Sequence, residues 1–373
     1  MKEPLNQLNP SLTIEADLMD IRENFLRAAE MNGPEWIPCS VFISPPLWSK
    51  YRERMEDLVL RHPRIFGEYE KGSRDFDDFG VRRKGNKITD EWGCVWTFLV
   101  DGLQGQVVKH PLEDWAALKS YKPPDPLSLD NLPQEGRPPS PGDFRKALKR
   151  IQKNKSEGRL VIGGCPHGFM FQRLYYLRGF SNLMKDFVTE PPELKFLIDM
   201  VVDYNLKLIR RWLDCGIDLL SCGDDLGMQD RLTIHPNVFR KYLIPAYKKM
   251  FTPVRERGVN IRFHSDGHIM EIAEDLIEAG VTILNLQDLV NGIERIKRRL
   301  KGKVCIDLDI DRQKIIPFGK PKDVKEHVRR VISELNSPEG GFMITVDIYP
   351  PTPIENIEAL CQALEEEGCG PKF

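Results

Sequence analysis

From residue 159 onward the chain alternates between a short apolar run and a segment of helix length. Few folds accommodate such a pattern. The runs are Leu160-Val161-Ile162-Gly163, Ile217-Asp218-Leu219-Leu220-Ser221, Ile261-Arg262-Phe263-His264 and Thr282-Ile283-Leu284-Asn285-Leu286, followed by Val304-Cys305-Ile306-Asp307 and Phe342-Met343-Ile344-Thr345-Val346. Each is short and mostly apolar, as strands buried on both faces are. Between them, segment 193–215 carries Leu194, Leu197, Ile198, Val201 and Tyr204 at helical spacing, and 238–258, 269–280, 289–300, 321–335 and 354–367 read likewise. Prolines such as Pro236 and Pro353 stand near helix starts, and Gly258 and Gly280 near helix ends. Alternation of this kind builds a parallel sheet with right-handed crossovers. The expected fold is a (β/α)8 TIM barrel. With Ile37-Pro38-Cys39-Ser40-Val41-Phe42-Ile43 as the first strand, seven strands are countable; the eighth is short, irregular or missed. An open doubly wound sheet is the alternative.

Residues 66–158 break the rhythm. Asp90 to Val100 alternates like an antiparallel strand, and Pro123 to Pro141, rich in proline and charge, reads as a surface loop. This stretch is expected to be an insertion over the barrel mouth, leaving 1–373 as a single domain. A length of 373 residues suits one such barrel.

Charge and hydropathy exclude several classes. Against 54 basic residues stand 56 acidic ones, so no excess of positive charge marks a nucleic-acid or polybasic membrane binder. No apolar stretch approaches the roughly 18 residues of a membrane span, and the polar start has no secretory-type run. A cytoplasmic protein is expected. Eight scattered cysteines with no C-x-x-C pair read as reduced thiols; Cys165, Cys222 and Cys305 fall in or beside strands.

Active sites of parallel barrels form at the C-terminal strand ends. The residues there are Cys165-Pro166-His167-Gly168, Gly223-Asp224-Asp225-Leu226-Gly227, His264-Ser265-Asp266-Gly267-His268, Gln287-Asp288, Asp309-Ile310-Asp311-Arg312 and Asp347. The ring is rich in acids and histidines and lacks a glycine-rich phosphate loop. Of the adjacent Asp224 and Asp225, one should face the cavity and the other cap a loop or helix. His264, at a strand end before a turn-forming set, suits a ligand or acid/base role; His268 reads as part of the turn before the next helix. Phe169, Met170, Phe171, Tyr175, Tyr176 and Phe180 follow His167. They pack an ordinary helix or, in their first members, line a pocket for a flat substrate, with Trp92 and Trp96 as lid residues.

Several segments together resemble the uroporphyrinogen decarboxylase superfamily, which includes cobalamin-dependent methyltransferases. They are Pro111-Leu112-Glu113-Asp114-Trp115, Tyr176-Leu177-Arg178-Gly179-Phe180, Gly223-Asp224-Asp225-Leu226-Gly227 with Gln229, Phe263-His264-Ser265-Asp266-Gly267, and Pro350-Pro351-Thr352-Pro353-Ile354-Glu355-Asn356-Ile357. The resemblance spans roughly residues 90 to 365 and implies the same barrel. The decarboxylase branch grips substrate carboxylates with an arginine-rich segment after the first strand; here that place reads Phe42-Ile43-Ser44-Pro45-Pro46-Leu47-Trp48-Ser49-Lys50, without arginine until Arg52. The thiol-methylating members hold zinc with a His-x-Cys pair and a late cysteine. His264 matches the histidine, Asp266 stands in place of the first cysteine, and Asp347 lies near the place of the second. Carboxylates for thiolates make a harder site, suited to an oxygen-containing substrate.

The resemblance therefore implies a methyltransferase that moves a methyl group from a small methoxylated, aromatic donor to the Co(I) corrinoid of a separate protein. The expected catalytic residues are Asp225, His264 and Asp266. The expected substrate-binding residues are His167, Phe169, Phe171, Asp224, Gln229 and Asp288. A zinc site of His264, Asp266 and Asp347, or a site without tightly held metal, is expected, with a homodimer as the oligomer considered. The chain carries no D-x-H-x-x-G cobalamin pattern, so the corrinoid should come from a partner. The rival readings are a decarboxylase-like lyase, working without metal or corrinoid, and a non-catalytic binding protein on the same scaffold.

Overall fold

A computed structural model describes residues 20–128, 136 and 142–372. Eleven strands are present among them: β1 (Ile37–Ile43), β2 (Lys87–Thr89), β3 (Val95–Thr97), β4 (Gln106–Lys109), β5 (Ile162–Gly164), β6 (Leu219–Gly223), β7 (Asn260–Ser265), β8 (Ile283–Gln287), β9 (Cys305–Asp309), β10 (Phe342–Ile348) and β11 (Cys369–Pro371). Eight of them form one all-parallel sheet in the order β11-β1-β10-β9-β8-β7-β6-β5. The eighth strand is β11. It escapes a sequence reading because it is three residues long and consists of Cys-Gly-Pro, types that strands avoid. Its glycine is required: a Cβ on Gly370 would lie 2.6 Å from the Trp36 ring.

The sheet curls into a barrel, and period-two alternation decides what lies inside. Leu219, Ile283, Cys305 and Met343, one from each of four strands, pack into a single cluster with Phe25, Ala28 and Ala29. The helix Ile21–Ala29 thereby plugs the floor. One layer higher the interior is ionic. Lys372, directly after β11, reaches Asp307 Oδ1 on β9 at 2.6 Å, and Arg262 on β7 holds Asp307 Oδ2 at 2.7 Å. A contact from β11 to β9 across two intervening strands is what closure into a barrel produces. The top layer contains His264, Gln287, Asp309 and Asp347, at the strand ends where chemistry is expected. Helices Pro192–Asp214, Ile244–Glu256, Pro321–Leu335 and Ile354–Glu366 cover the outside. The stretch 289–300 is not one helix, because Gly292 at φ 81° breaks it into Asp288–Asn291 and Ile293–Leu300.

The insertion is a three-stranded antiparallel sheet, β2-β3-β4. The alternation read from 90 to 100 as one strand is instead a tight turn followed by β3. Asp90 imposes the turn: its Oδ1 accepts from the N–H of Trp92 and of Cys94, and its Oδ2 from the Trp96 indole. Trp92 and Trp96 are buried against Tyr204 and Tyr176, with ring centroids 4.5 and 4.9 Å apart, so they anchor the insertion and form no lid. Leu103 and Gln104, further along, do reach the barrel mouth. Helix Asp143–Ser156, at the end of the irregular region, packs Phe144 on Trp212 of the barrel's outer layer. Most of the proline-rich loop beyond residue 128 lies outside the described residues. No helix among the described residues is long and apolar enough to cross a membrane. All eight cysteines are free, and seven are buried.

Candidate active site

Three consecutive strands deliver the central cluster. His167 follows β5, Asp225 follows β6, and His264 is the penultimate residue of β7. Their ligand-capable atoms all lie within 4.8 Å of one another, the one such group of three or more among the described residues. His167 Nε2 is 3.2 Å from Asp225 Oδ1, and His264 Nε2 is 3.6 Å from the same oxygen. The approach depends on glycine. A Cβ on Gly223 would stand 2.6 Å from the His167 ring. The two motif turns also cross at Gly227 and Gly267: a Cβ on Gly267 would stand 2.3 Å from the Gly227 backbone, and one on Gly227 2.4 Å from the His268 nitrogen and 2.6 Å from the Gly267 backbone.

Neighbours fix each side chain. Asn285 Nδ2 donates to the Asp307 carbonyl, so its Oδ1 faces His264 Nδ1 at 2.5 Å. His264 must donate there, which leaves Nε2 turned toward the carboxylates. Gln172 donates from Nε2 to Asp225 Oδ2, while its Oε1 accepts from the Asp225 N–H. Asp225 Oδ1 also accepts the Asp266 N–H at 3.1 Å. Burial pushes the Asp225 carboxyl up. The hydrogen bond and charge of His167, with the charge of His264, outweigh it and hold the group below the usual carboxylate range.

Beside this cluster lies an acid ring around one cation. The Arg312 guanidinium pairs with Asp266, with Asp347 at 3.4 Å and with Asp309 at 3.5 Å. It stacks over Tyr349 at 5.5 Å. Burial pulls the Arg312 pKa down, but the three aspartates raise it above its ordinary value. Asp309 is buried and neither carboxylate oxygen has a hydrogen-bond partner. Burial raises it well above the usual range, against the charge of Arg312 and with that of Asp347, Asp266 and Asp288. A cavity of about 560 Å³ opens over this ring, with Asp266, Arg312, Tyr349, Gln229, Met228 and Leu103 in its lining.

The residues singled out from the sequence separate into two sets. His167, Asp225, His264 and Asp266 converge at the mouth, and Gln229 lines the cavity, donating to Gln313 at 2.9 Å. The others serve elsewhere. Asp224 is fully buried and cannot touch a substrate; it caps the helix Phe171–Arg178, accepting from the N–H of Phe171 and Gln172 and from Tyr247 Oη. Phe169 and Phe171 are core residues; Phe169 packs on Tyr247, Phe251 and Phe263. Asp288 is buried and bound to His327 at 2.6 Å. Asp347 does not join His264. It serves Arg312, and the third partner of the histidine cluster is His167. His268 is buried, with Arg295 3.3 Å from its Nε2.

Asn285, Gln172 and Tyr349 are site residues that the sequence reading does not reach, and Asp309 stands in its strand-end ring without an assigned role. Asn285 and Asp309 carried a usable signal: polar residues at inward-facing positions of strands otherwise wholly apolar.

Tetrahedral zinc with bonds of about 2.0 Å places its ligand atoms about 3.3 Å apart. The separations of 3.2 and 3.6 Å about Asp225 Oδ1 bracket that value. The locked His264 tautomer is the one that a metal ligand needs. These two spacings, with all three donor atoms within 4.8 Å of one another, suit zinc held by His167, Asp225 and His264, and Asp266 Oδ1, 3.5 Å from His264 Nε2, stands next to them.

The sequence model of the family described as Uroporphyrinogen decarboxylase (URO-D) matches residues 96–367. No curated protein matches the sequence. Among solved structures, a methyltransferase from Methanosarcina mazei is similar with a TM-score of 0.61 at 15% identity, covering 94% of this chain and 99% of that one. A B12-independent methionine synthase from Shewanella sp. W3-18-1 in complex with selenomethionine gives a TM-score of 0.38 at 8% identity, covering 59% and 65%.

Proposed function

The chain belongs to the uroporphyrinogen decarboxylase (URO-D) family, and we propose that it is a methyltransferase of that family. It takes a methyl group from a small methoxylated donor and passes it to the Co(I) of a corrinoid carried by a separate protein. The observation that carries this reading is the nitrogen- and oxygen-only cluster His167–Asp225–His264 at the mouth, with the His264 tautomer locked by Asn285. Such a donor set is harder than one built on thiolates and suits activation of an ether oxygen. Likeness in fold to the M. mazei methyltransferase supports the same direction.

Cleaving a methyl ether demands that the departing oxygen be polarised or protonated, because a bare alkoxide or phenolate leaves poorly. Zinc held by His167, Asp225 and His264 would supply a Lewis acid for that oxygen. The chain's own residues do the rest. Asp225 stays ionised and keeps both imidazoles turned inward. Arg312 holds Asp266 at the edge of the cluster, and Tyr349, Met228 and Leu103 give the cavity its apolar walls. With Phe169 and Phe171 in the core, an aromatic donor would rest on those walls.

Decarboxylation of a polycarboxylate is disfavoured by charge. Among the described residues Arg312 is the one cation in the lining of the mouth cavity, and three carboxylates already share it. A substrate with several carboxylates needs several free cations.

The test combines metal analysis with turnover. Purified protein is assayed for zinc, then mixed with a reduced corrinoid protein and a panel of methoxylated aromatic and aliphatic compounds. Methylcobalamin formation by wild type, reduced at least ~100-fold in His264→Ala, is expected. Equal rates in the two proteins, or carboxylate loss from a porphyrinogen with no methyl transfer, would overturn the proposal.

A further inference from the structure

On the flank of the barrel, the helix Ile293–Leu300 and the turn after it carry Arg295, Lys297, Arg298, Arg299, Lys301 and Lys303. These cations are treated differently. Lys297 pairs with Glu334 at 2.5 Å, Arg299 with Glu274 at 2.8 Å and Lys303 with Glu274 at 3.6 Å. Lys301 donates to the carbonyls of Glu334 and Asn336. Arg295 and Arg298 make no ion pair with a carboxylate among the described residues, nor does Arg330 of the neighbouring helix Pro321–Leu335, whose charge acts on Glu334 from beyond ion-pair distance. These three line one cavity of about 550 Å³.

The lining has a consistent chemistry. Three guanidiniums stand against a single carboxylate, Glu294. Gathering like charges on one concavity is unfavourable unless an anion joins them. The helix Ile293–Leu300 starts there, with Gly292 and Ile293 in the wall, and helix N-termini favour anions. Leu289 and Val290 add an apolar side. Arg295 is held in place by His268, which accepts at Nε2. Asn291, also in the wall, donates to the Gly267 carbonyl and accepts the Ile269 N–H, so the cavity backs onto the turn that follows His264.

We infer that this cavity is a binding site for a small phosphate ester, with Arg295, Arg298 and Arg330 reading the phosphate and Leu289 and Val290 receiving an apolar body. Planar forked donors suit phosphate oxygens, and the volume exceeds what a bare phosphate fills. The site is independent of the methyl-transfer reading.

The test is calorimetric titration of the full chain with inorganic phosphate and with phenyl phosphate, for wild type, R298Q/R330Q and R298K/R330K. All substituted residues are exposed, and unfolding midpoints of the three proteins check that the fold is kept. Wild type should bind phenyl phosphate more tightly than phosphate. R298Q/R330Q should lose at least tenfold on both, and R298K/R330K should keep part of the affinity, since lysine retains charge without the fork. Amide exchange across 288–300 should slow with phenyl phosphate. No binding by wild type at millimolar concentration, or equal binding by wild type and R298Q/R330Q, would overturn the assignment. Phosphate bound as tightly as phenyl phosphate would overturn the apolar half.

Discussion

His264 Nδ1 lies 2.5 Å from Asn285 Oδ1, and this contact decides which edge of the imidazole faces the cavity. Asn285 cannot turn over without giving up its 2.7 Å bond to the Asp307 carbonyl. The orientation of His264 thus follows from the strand pairing of β8 with β9. Replacing Asn285 with leucine removes the acceptor and leaves the ring free to present either nitrogen. Zinc affinity, measured by competition with a chromophoric chelator, should fall ~10- to 100-fold, the usual effect of losing the partner that orients a metal-binding histidine. The unfolding midpoint should change little by comparison. Unaltered zinc affinity in Asn285→Leu would show that the contact orients nothing of consequence.

Asp224 gives a pH-dependent prediction of stability. Burial raises its pKa from 3.8 to about 6, against the hydrogen bonds it accepts from the helix N-terminus and Tyr247. Between those two values the folded chain binds more protons than the unfolded one, so stability falls as pH rises through the window. Asp224→Asn has no proton to bind there. Urea unfolding at about pH 4 and about pH 7 should show the wild type's advantage over D224N largest at the lower pH and shrinking toward the higher. A constant difference would mean that Asp224 is not perturbed in the folded state.

How much of this was legible in the sequence depends on the kind of signal. Seven of the barrel's eight strands announce themselves, since a run such as Ile283-Leu284-Asn285-Leu286 has no other economical use. β11 does not, because its identity rests on a place in the barrel beside β1 and on Trp36 lying against Gly370. At the site, strand-end logic found His167, Asp225, His264 and Asp266. It could not tell which acids are dry. Asp224 and Asp225 are adjacent, yet one caps a helix and the other meets two histidines. Asp347 stands near a place that the family resemblance marks for a metal ligand, but Arg312, brought in from β9's end, claims it. Those are long-range pairings, and one sequence carries no record of them.

Lys372 and Asp307 are both fully buried. Burial lowers the Lys372 pKa to about 8, with Asp307 opposing, and the Asp307 carboxyl stays below its usual range because Lys372 and Arg262 outweigh its burial. Removing Lys372 leaves Asp307 paired with Arg262, whereas removing Asp307 strands both cations. Asp307→Asn should destabilise the fold by about 3–5 kcal/mol, and Lys372→Met by less. The double variant Lys372→Met/Asp307→Asn should recover part of the Asp307→Asn loss, because one of the two uncompensated charges is gone. Chemical denaturation of wild type, both single variants and the double variant closes the cycle. Additive losses would mean that the two groups do not interact, and that β11 is held only by its backbone and Trp36.

Arg312 has three aspartates, and their burial differs. Asp309 is 3% exposed at its side chain, Asp347 29% and Asp266 38%. In Arg312→Met all three lose their cation, and Asp309, whose pKa burial already raises well above the usual range, must take up a proton or stay charged in a place that water does not reach. The cost of the substitution should therefore sit on Asp309. Arg312→Met is expected to lower stability by about 3 kcal/mol at neutral pH and to abolish methyl transfer through the displacement of Asp266. Adding Asp309→Asn should restore more than half of the stability, whereas adding Asp347→Asn should restore little, since solvent already screens that carboxylate. Neither second change should restore turnover, because neither returns Asp266 to its place beside His264. Equal rescue of stability by the two would show that net charge, not burial, governs this ring.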